Sequence, residues 1–259
     1  MAFSNIERHY NKHPEDLRLQ RRHGMVEFAT TMHHLHRFLR PDTSLLDIGA
    51  GTGRYTSALM AEGYRVKAVE LVQRNIDVFL KRESTADVVR GDARHMPFIP
   101  TASADVTLLL GPLYHLIGDE EKLRALNEAK RVTKPGGLIF VAYLMNEYSI
   151  LSYCFDEERI GGLMAKGVVD NNYHIQAQAD ELYDYVRIED IDRLNQKAGL
   201  QRVTIFSPDG AADYMRTRLN RMSEGTFAHF IAYQKRISER PDLIGAGSHV
   251  VDVVKVPLP

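Results

Sequence analysis

One stretch constrains this chain more than any other: Leu45-Leu46-Asp47-Ile48-Gly49-Ala50-Gly51-Thr52-Gly53-Arg54-Tyr55. It reads as a short apolar strand ending on an acid, then a glycine-rich turn, then the start of a helix. A turn of this kind aims free backbone N–H groups at a small ligand. Its glycines let the backbone take positive φ and let a ligand come close. The spacing is Gly-x-Gly-x-Gly, which differs from the Gly-x-Gly-x-x-Gly of dinucleotide-binding turns.

The surrounding pattern supplies the parallel sheet that such a turn needs. Strands are expected at Ser44–Ile48, Arg65–Val69, Asp87–Arg90, Asp105–Leu110 and Leu138–Tyr143. They alternate with helices over Thr56–Glu62, Gln73–Arg82 and a third beginning near Asp119, stopped by Lys134-Pro135-Gly136-Gly137. The third helix carries acids in its first turn and Lys130-Arg131 in its last, which suits the helix dipole. A helix over Ile188–Ala198, a strand over Gln201–Phe206, two helices (Tyr214–Met222 and Phe227–Ile237) and a last strand over Val250–Val256 follow. That last strand is expected antiparallel beside the sixth. Ahead of the sheet, residues 1–24 are polar, and apolar positions from Met25 to Leu39 recur at helical spacing. His33, His34 and His36 ride on that helix. They read as a solvated face, because no pair sits at i, i+4 with a carboxylate helper.

Four features fall at the carboxyl ends of successive strands: Asp47 with its glycines, Glu70, Asp92 and the Gly111-Pro112 turn. In an open α/β sheet ligands bind along that edge. An acid closing strand two can accept from a ribose diol, and one closing strand three from an adenine amino group. Together they specify an adenosine without phosphate binding.

These elements resemble the class I S-adenosylmethionine-dependent methyltransferases. Leu45–Gly53 matches that family's hydrophobic-Asp-x-Gly-x-Gly-x-Gly motif, Glu70 its strand-two acid, and Gly91-Asp92-Ala93 its strand-three acid. Ala104-Asp105-Val106-Thr107 and Val132-Thr133-Lys134-Pro135-Gly136-Gly137 match two later motifs. The matches run in order over residues 44–143. The resemblance implies a Rossmann-like α/β fold: a seven-stranded, mostly parallel sheet with helices on both faces and an antiparallel last strand; the tyrosine- and acid-rich composition after strand five is read as a lid insertion. It implies one domain over residues 1–259, divided into an N-terminal helical segment (1–43), a cofactor-binding core (44–143), a lid (144–187) and the rest of the sheet with a helical insertion (188–259). It implies S-adenosylmethionine as cofactor and S-adenosylhomocysteine as product. Gly49, Gly51 and Gly53 would seat the methionine moiety, with Ala50 and Thr52 in the same turn. Asp47 would orient the turn or the amino group. Glu70, with Leu71 beside it, would hold the ribose. Asp92 and Ala93 would hold the adenine, and Leu110 or Gly111 would offer a backbone oxygen to the amino group.

The acceptor side is less determined by motif. His115 falls where many small-molecule members carry a histidine. With histidine's ordinary pKa it can take a proton from an acceptor OH, NH or SH. Tyr114 is placed to orient an acceptor. Gly111-Pro112-Leu113-Tyr114 also resembles the Asn/Asp-Pro-Pro-Tyr motif of adenine N6 methyltransferases, but Gly111 lacks the side chain that holds the target amine. The 144–187 stretch is rich in tyrosine and acid, so Tyr148, Tyr153 and Tyr173 are candidate acceptor contacts, with Arg22 from the N-terminal cluster. Its acids suit a neutral or cationic small molecule and make a nucleic-acid backbone an awkward partner. Lys+Arg total 33 against Asp+Glu 34, so no overall charge draws the chain to nucleic acid or a membrane surface. The single cysteine, Cys154, can form neither an internal disulfide nor a Cys-based zinc site. No metal site is expected. The first residues lack an apolar run of signal length, which makes the cytoplasm the expected location. Two alternatives stay open: an RNA or protein methyltransferase using Arg18, Arg21, Arg22, Arg216, Arg218 and Arg221, and a non-catalytic sensor or scaffold that binds the cofactor.

Overall fold

Apolar runs at the centre of the chain form strands buried on both faces. These are β1 (Ser44–Ile48), β4 (Ala104–Leu109) and the inner half of β5 (Thr133–Leu144). They join β2 (Arg65–Glu70), β3 (Asp87–Arg90), β6 (Gln201–Phe206) and β7 (His249–Lys255) in a single sheet of order β3-β2-β1-β4-β5-β7-β6. The computed structural model describes residues 5–12, 21–156 and 158–258. Residues 1–4, 13–20, 157 and 259, with Pro14, Arg18 and Glu157 among them, therefore lie outside the described residues.

The pairings among β1, β2, β3, β4 and β5 are parallel. β7 is antiparallel and lies between β5 and β6, pairing with both rather than with β6 alone. β5 starts at Thr133, five residues before the expected Leu138. The Lys134-Pro135-Gly136-Gly137 run is thus part of the strand, where the pairing with β4 shifts register between Ala104 and Val106. A Cβ on Gly137 would stand 2.7 Å from the Asp105 carbonyl oxygen, so that close approach requires glycine.

Alternate residues of each strand point to opposite faces. Leu46, Ile48, Val69, Leu109, Ile139 and Val141 pack with Leu126, Ile191 and Leu194 on one face. Leu45, Val66, Val106, Leu108, Phe140 and Val253 pack with Met32, Leu35 and Leu59 on the other. The first face is covered by α5 (Asp119–Val132) and α8 (Ile188–Ala198). The second is covered by α2 (Arg22–His36) and α3 (Arg54–Ala61), and α4 (Gln73–Arg82) packs beside β2 and β3. The polar segment before α2 holds a helix that periodicity did not show, α1 (Asn5–Lys12). Residues 144–187 were expected to be irregular. They contain α6 (Asn146–Ser149), a π-helical turn over Ile150–Phe155 and α7 (Ile160–Ala165), with a small core of Ile150, Cys154 and Val169. Between β6 and β7 lie α9 (Arg216–Leu219) and α10 (Glu224–Ile237). Among the described residues no helix is long and apolar enough to cross a membrane.

Not all of the α2 histidines are solvated. His36 pairs with Glu62 at 2.7 Å in the open. His34 is buried, stacks on Phe206 with ring centroids 3.8 Å apart and bonds Ser238 Oγ. Burial pushes its pKa down to about 4, so it is a neutral core residue.

Candidate functional site

β1 is flanked by β2 on one side and β4 on the other, so the strand order reverses beside it and a crevice opens at the carboxyl ends. The glycine turn forms its floor. Gly49 and Gly53 have φ of +76° and +78°, which favour glycine. A Cβ on Gly49 would lie 2.6 Å from the Pro112 ring, and one on Gly53 would lie 2.2 Å from the buried Phe79 ring. The glycines therefore let the turn after β1 meet both α4 and the turn after β4. A Cβ on Gly51 would meet nothing within 4 Å, so this residue borders open space.

Two buried acids brace the turn. Glu70, at the end of β2, accepts the Gly51 N–H at 2.8 Å on Oε2, and the Val72 N–H at 2.9 Å and Asn75 Nδ2 at 3.2 Å on Oε1. Burial raises the Glu70 pKa, and these donors, with the Leu71 N–H, oppose the rise. Asp47 accepts from the Thr56 hydroxyl at 2.6 Å. Burial pushes its pKa up to about 6, with the Thr56 hydroxyl pulling the other way.

Asp47, Gly49, Ala50, Gly51, Thr52, Glu70, Leu71, Asp92, Ala93, Leu110, Gly111, Tyr114 and His115 all line this one cavity. Gly53 lies just outside the wall, as the N-cap of α3. The Asp92 carboxylate does not stand alone in the crevice. Burial raises its pKa, but the Arg94 guanidinium and backbone N–H outweigh that and hold it low. Arg94 also pairs with Glu121. The Asp92 side chain is thus a cross-link to α5, and the backbone of Asp92 and Ala93 is what remains for an adenine.

On the acceptor side, residues Pro112–His115 form a 3₁₀ turn. The Tyr114 hydroxyl lies 3.7 Å from where a Gly111 Cβ would stand, beside the Gly49 carbonyl. His115 Nδ1 is 2.9 Å from the Leu182 carbonyl, and His115 Nε2 is 2.8 Å from the Tyr10 hydroxyl. A carbonyl can only accept, so Nδ1 carries the proton and Nε2 accepts from Tyr10. Tyr10 and Ile6 of α1 line the cavity, and Glu7 pairs with Arg90 at the end of β3. The second limb of the 144–187 segment reaches the same turn: the Asp184 N–H donates to the Tyr114 carbonyl, and the Asp184 carboxylate pairs with the buried Lys122.

The four other acceptor candidates are not brought to this cavity. Arg22 donates to the carbonyls of Leu219 and Met222, pairs with Glu224 and stacks on Phe227, tying α2 to α9 and α10. Tyr148 is buried against Tyr153 and Tyr214, and Tyr173 stacks on Phe155. Reading along the chain missed Tyr10, Glu27 and Arg54, which line the cavity. It also missed the Asp209–His249 pair (2.7 Å), whose imidazole meets the Tyr114 ring edge, and the Asp213–Arg216 pair (3.0 Å) near it. Arg54 alone carried a signal, as the residue that ends the glycine motif.

Residues 46–141 match the family model described as a methyltransferase domain. The chain is similar to a demethylmenaquinone methyltransferase of Renibacterium salmoninarum, with 34% identity over 102 residues, 39% of this chain and 41% of that protein. It is similar to a cypemycin N-terminal methyltransferase of a Streptomyces species, with 35% identity over 120 residues, 46% of each chain. The chain thus spans less than half the length of these curated relatives. Among solved structures, a Thermotoga maritima protein described as an S-adenosylmethionine-dependent methyltransferase, possible histamine N-methyltransferase, shares the fold. Its TM-score is 0.59 at 21% identity, covering 97% of this chain and 98% of that one.

Proposed function

Because the chain carries a class I, S-adenosylmethionine-dependent methyltransferase domain, we propose that the whole protein methylates a small molecule on O, N or S. The observation that carries this reading is the convergence of the glycine turn, Glu70, the Asp92-Ala93 backbone and the Pro112–His115 turn on one cavity at the carboxyl edge. The relatives act, by their printed names, on a demethylmenaquinone and on the N-terminus of cypemycin, which supports the reaction class without naming this acceptor.

The residues fit the cofactor. Gly51 borders open space where a side chain would fill it, and the Glu70 carboxylate lines the same cavity. Asp47 lines the same floor. When bound, S-adenosylmethionine supplies a methyl group activated on a sulfonium sulfur, open to in-line displacement.

The chain's own part is positioning and proton handling. The Leu182 carbonyl fixes the tautomer of His115, so the basic nitrogen faces Tyr10. Tyr10 then accepts a hydrogen bond from a protonated acceptor while donating its own proton toward His115 Nε2. Leu182 and Asp184 bond to the same turn, which fixes its place against α1. Arg22 and Arg216, two of the arginines an RNA-binding reading needs, pair with Glu224 and Asp213 of the same chain. A cytoplasmic setting belongs to the same proposal.

The test is a screen of small-molecule acceptors that follows release of S-adenosylhomocysteine. Turnover that falls in Tyr10→Phe and His115→Gln supports the reading. S-adenosylhomocysteine binding without turnover of any acceptor class overturns it in favour of a sensor.

A further inference from the structure

α5 buries a lysine: Lys122 is 2% exposed. An ammonium out of water is costly unless its donors are met, and an apolar side chain of similar length would fill the space without that cost. Its bonds show what it holds. Nζ donates to the Leu116 carbonyl at 2.6 Å and pairs with the Asp184 carboxylate. Two other acids lie near it but are bonded elsewhere, Asp119 to Arg193 and Lys197, and Asp190 to Arg193 and the Arg187 N–H. The ammonium thus bridges two segments of chain, the end of the Pro112–His115 turn and residues 182–184. The same Asp184 oxygen takes the Gly118 N–H at 2.8 Å, and the Asp184 N–H donates to the Tyr114 carbonyl at 2.8 Å. Two residues back, the Leu182 carbonyl takes the His115 Nδ1 proton at 2.9 Å. The Tyr183 ring between them stacks on the imidazole, with centroids 5.1 Å apart. Lys122 is not among the residues that line the cavity, so it acts on a ligand only through these partners.

We propose that Lys122 is a positioning residue for His115: its ammonium holds residues 182–184 on the Pro112–His115 turn and so decides which imidazole nitrogen carries the proton. The consequence for turnover rests on the proposed function; the tautomer itself does not. Without the ammonium, the partly buried Asp184 carboxylate loses its counter-ion and water becomes its better partner. An Asp184 that turns outward draws Leu182 away from Nδ1. The ring then carries its proton on Nε2, where it cannot accept from Tyr10.

The experiment is long-range proton–nitrogen correlation NMR of the imidazoles in wild type, Lys122→Met and Asp184→Asn, at about pH 8.5, above histidine's ordinary pKa. His115 is assigned by the signals missing from His115→Gln, and melting temperatures check folding. Wild type should show His115 protonated on Nδ1. Lys122→Met should move most of the population to the Nε2-protonated form. With the acceptor that the screen identifies, it should also lower kcat about tenfold or more, and calorimetric affinity for S-adenosylhomocysteine should be unchanged. Asp184→Asn keeps an acceptor for Gly118 but drops the charge. It should shift the tautomer the same way, and it decides the question if Lys122→Met does not fold. A lysine that served stability alone would lower the melting temperature when replaced and leave the tautomer as it was. A folded Lys122→Met that keeps its proton on Nδ1 overturns the proposal, as does a wild type protonated on Nε2. Absence of turnover in wild type with every acceptor removes the methyl-transfer reading instead, and the tautomer shift then still decides the role of Lys122.

Discussion

Asp47 shows how burial converts a motif residue into a pH-dependent one. Its folded pKa of about 6 lies above the ordinary carboxylate value because the side chain is out of water. Between about pH 4 and 6 the folded state therefore binds more protons here than the unfolded state, and this residue's contribution to stability falls as pH rises. Asp47→Asn removes that term while keeping an acceptor for Thr56. Relative to wild type, the variant should gain up to about 3 kcal/mol between pH 4 and 7 in urea unfolding. A difference independent of pH contradicts the assignment. At the same scale, the proposed proton handling turns on the Tyr10–His115 hydrogen bond. Tyr10→Phe and His115→Gln should each lower turnover about tenfold to a thousandfold, with S-adenosylhomocysteine affinity nearly unchanged. A loss confined to cofactor affinity would place the pair in binding instead.

At the scale of elements, the strand–turn–helix after β1 was legible because its cause is local. Apolar residues, an acid and three glycines define it within eleven positions. Gly53 illustrates the constraint: it combines φ of +78° with a Phe79 ring that a Cβ would overlap. Gly53→Ala should destabilise the fold by about 2–3 kcal/mol in denaturant unfolding, and a loss under about 0.5 kcal/mol would mean that α4 moves aside. α1 was not legible, because its sequence, Asn-Ile-Glu-Arg-His-Tyr-Asn-Lys, is short and polar overall and its cavity-facing pair is only Ile6 and Tyr10. It is placed by long-range contacts, Tyr10 to His115 and Glu7 to Arg90, which periodicity does not encode. The tautomer of His115 depends on Leu182, sixty-seven residues later, for the same reason. Tyr148 and Tyr173 drew attention by composition, and composition cannot tell a wall of a cavity from aromatic packing.

For the whole molecule, the sheet must bring the motif strands into one plane and close its other edge. The far edge is held by Asp252, fully buried in β7, which takes Arg202 Nε at 2.7 Å and Asn195 Nδ2 at 2.6 Å. Arg202→Met leaves a buried carboxylate short of its charge partner. It should cost about 3–5 kcal/mol in urea unfolding at pH 7, and a loss below about 1 kcal/mol would show that β6 contributes little. At the near edge, four strands end on groups that meet in one cavity, and the central claim is that this cavity holds an adenosyl amino acid. The direct measurement is calorimetric titration of S-adenosylhomocysteine into wild type and Glu70→Gln. The account predicts one site per chain, weakened about tenfold or more in Glu70→Gln, whose amide puts a donor where an acceptor is needed. No binding to wild type, or equal affinity in a folded Glu70→Gln, would contradict it.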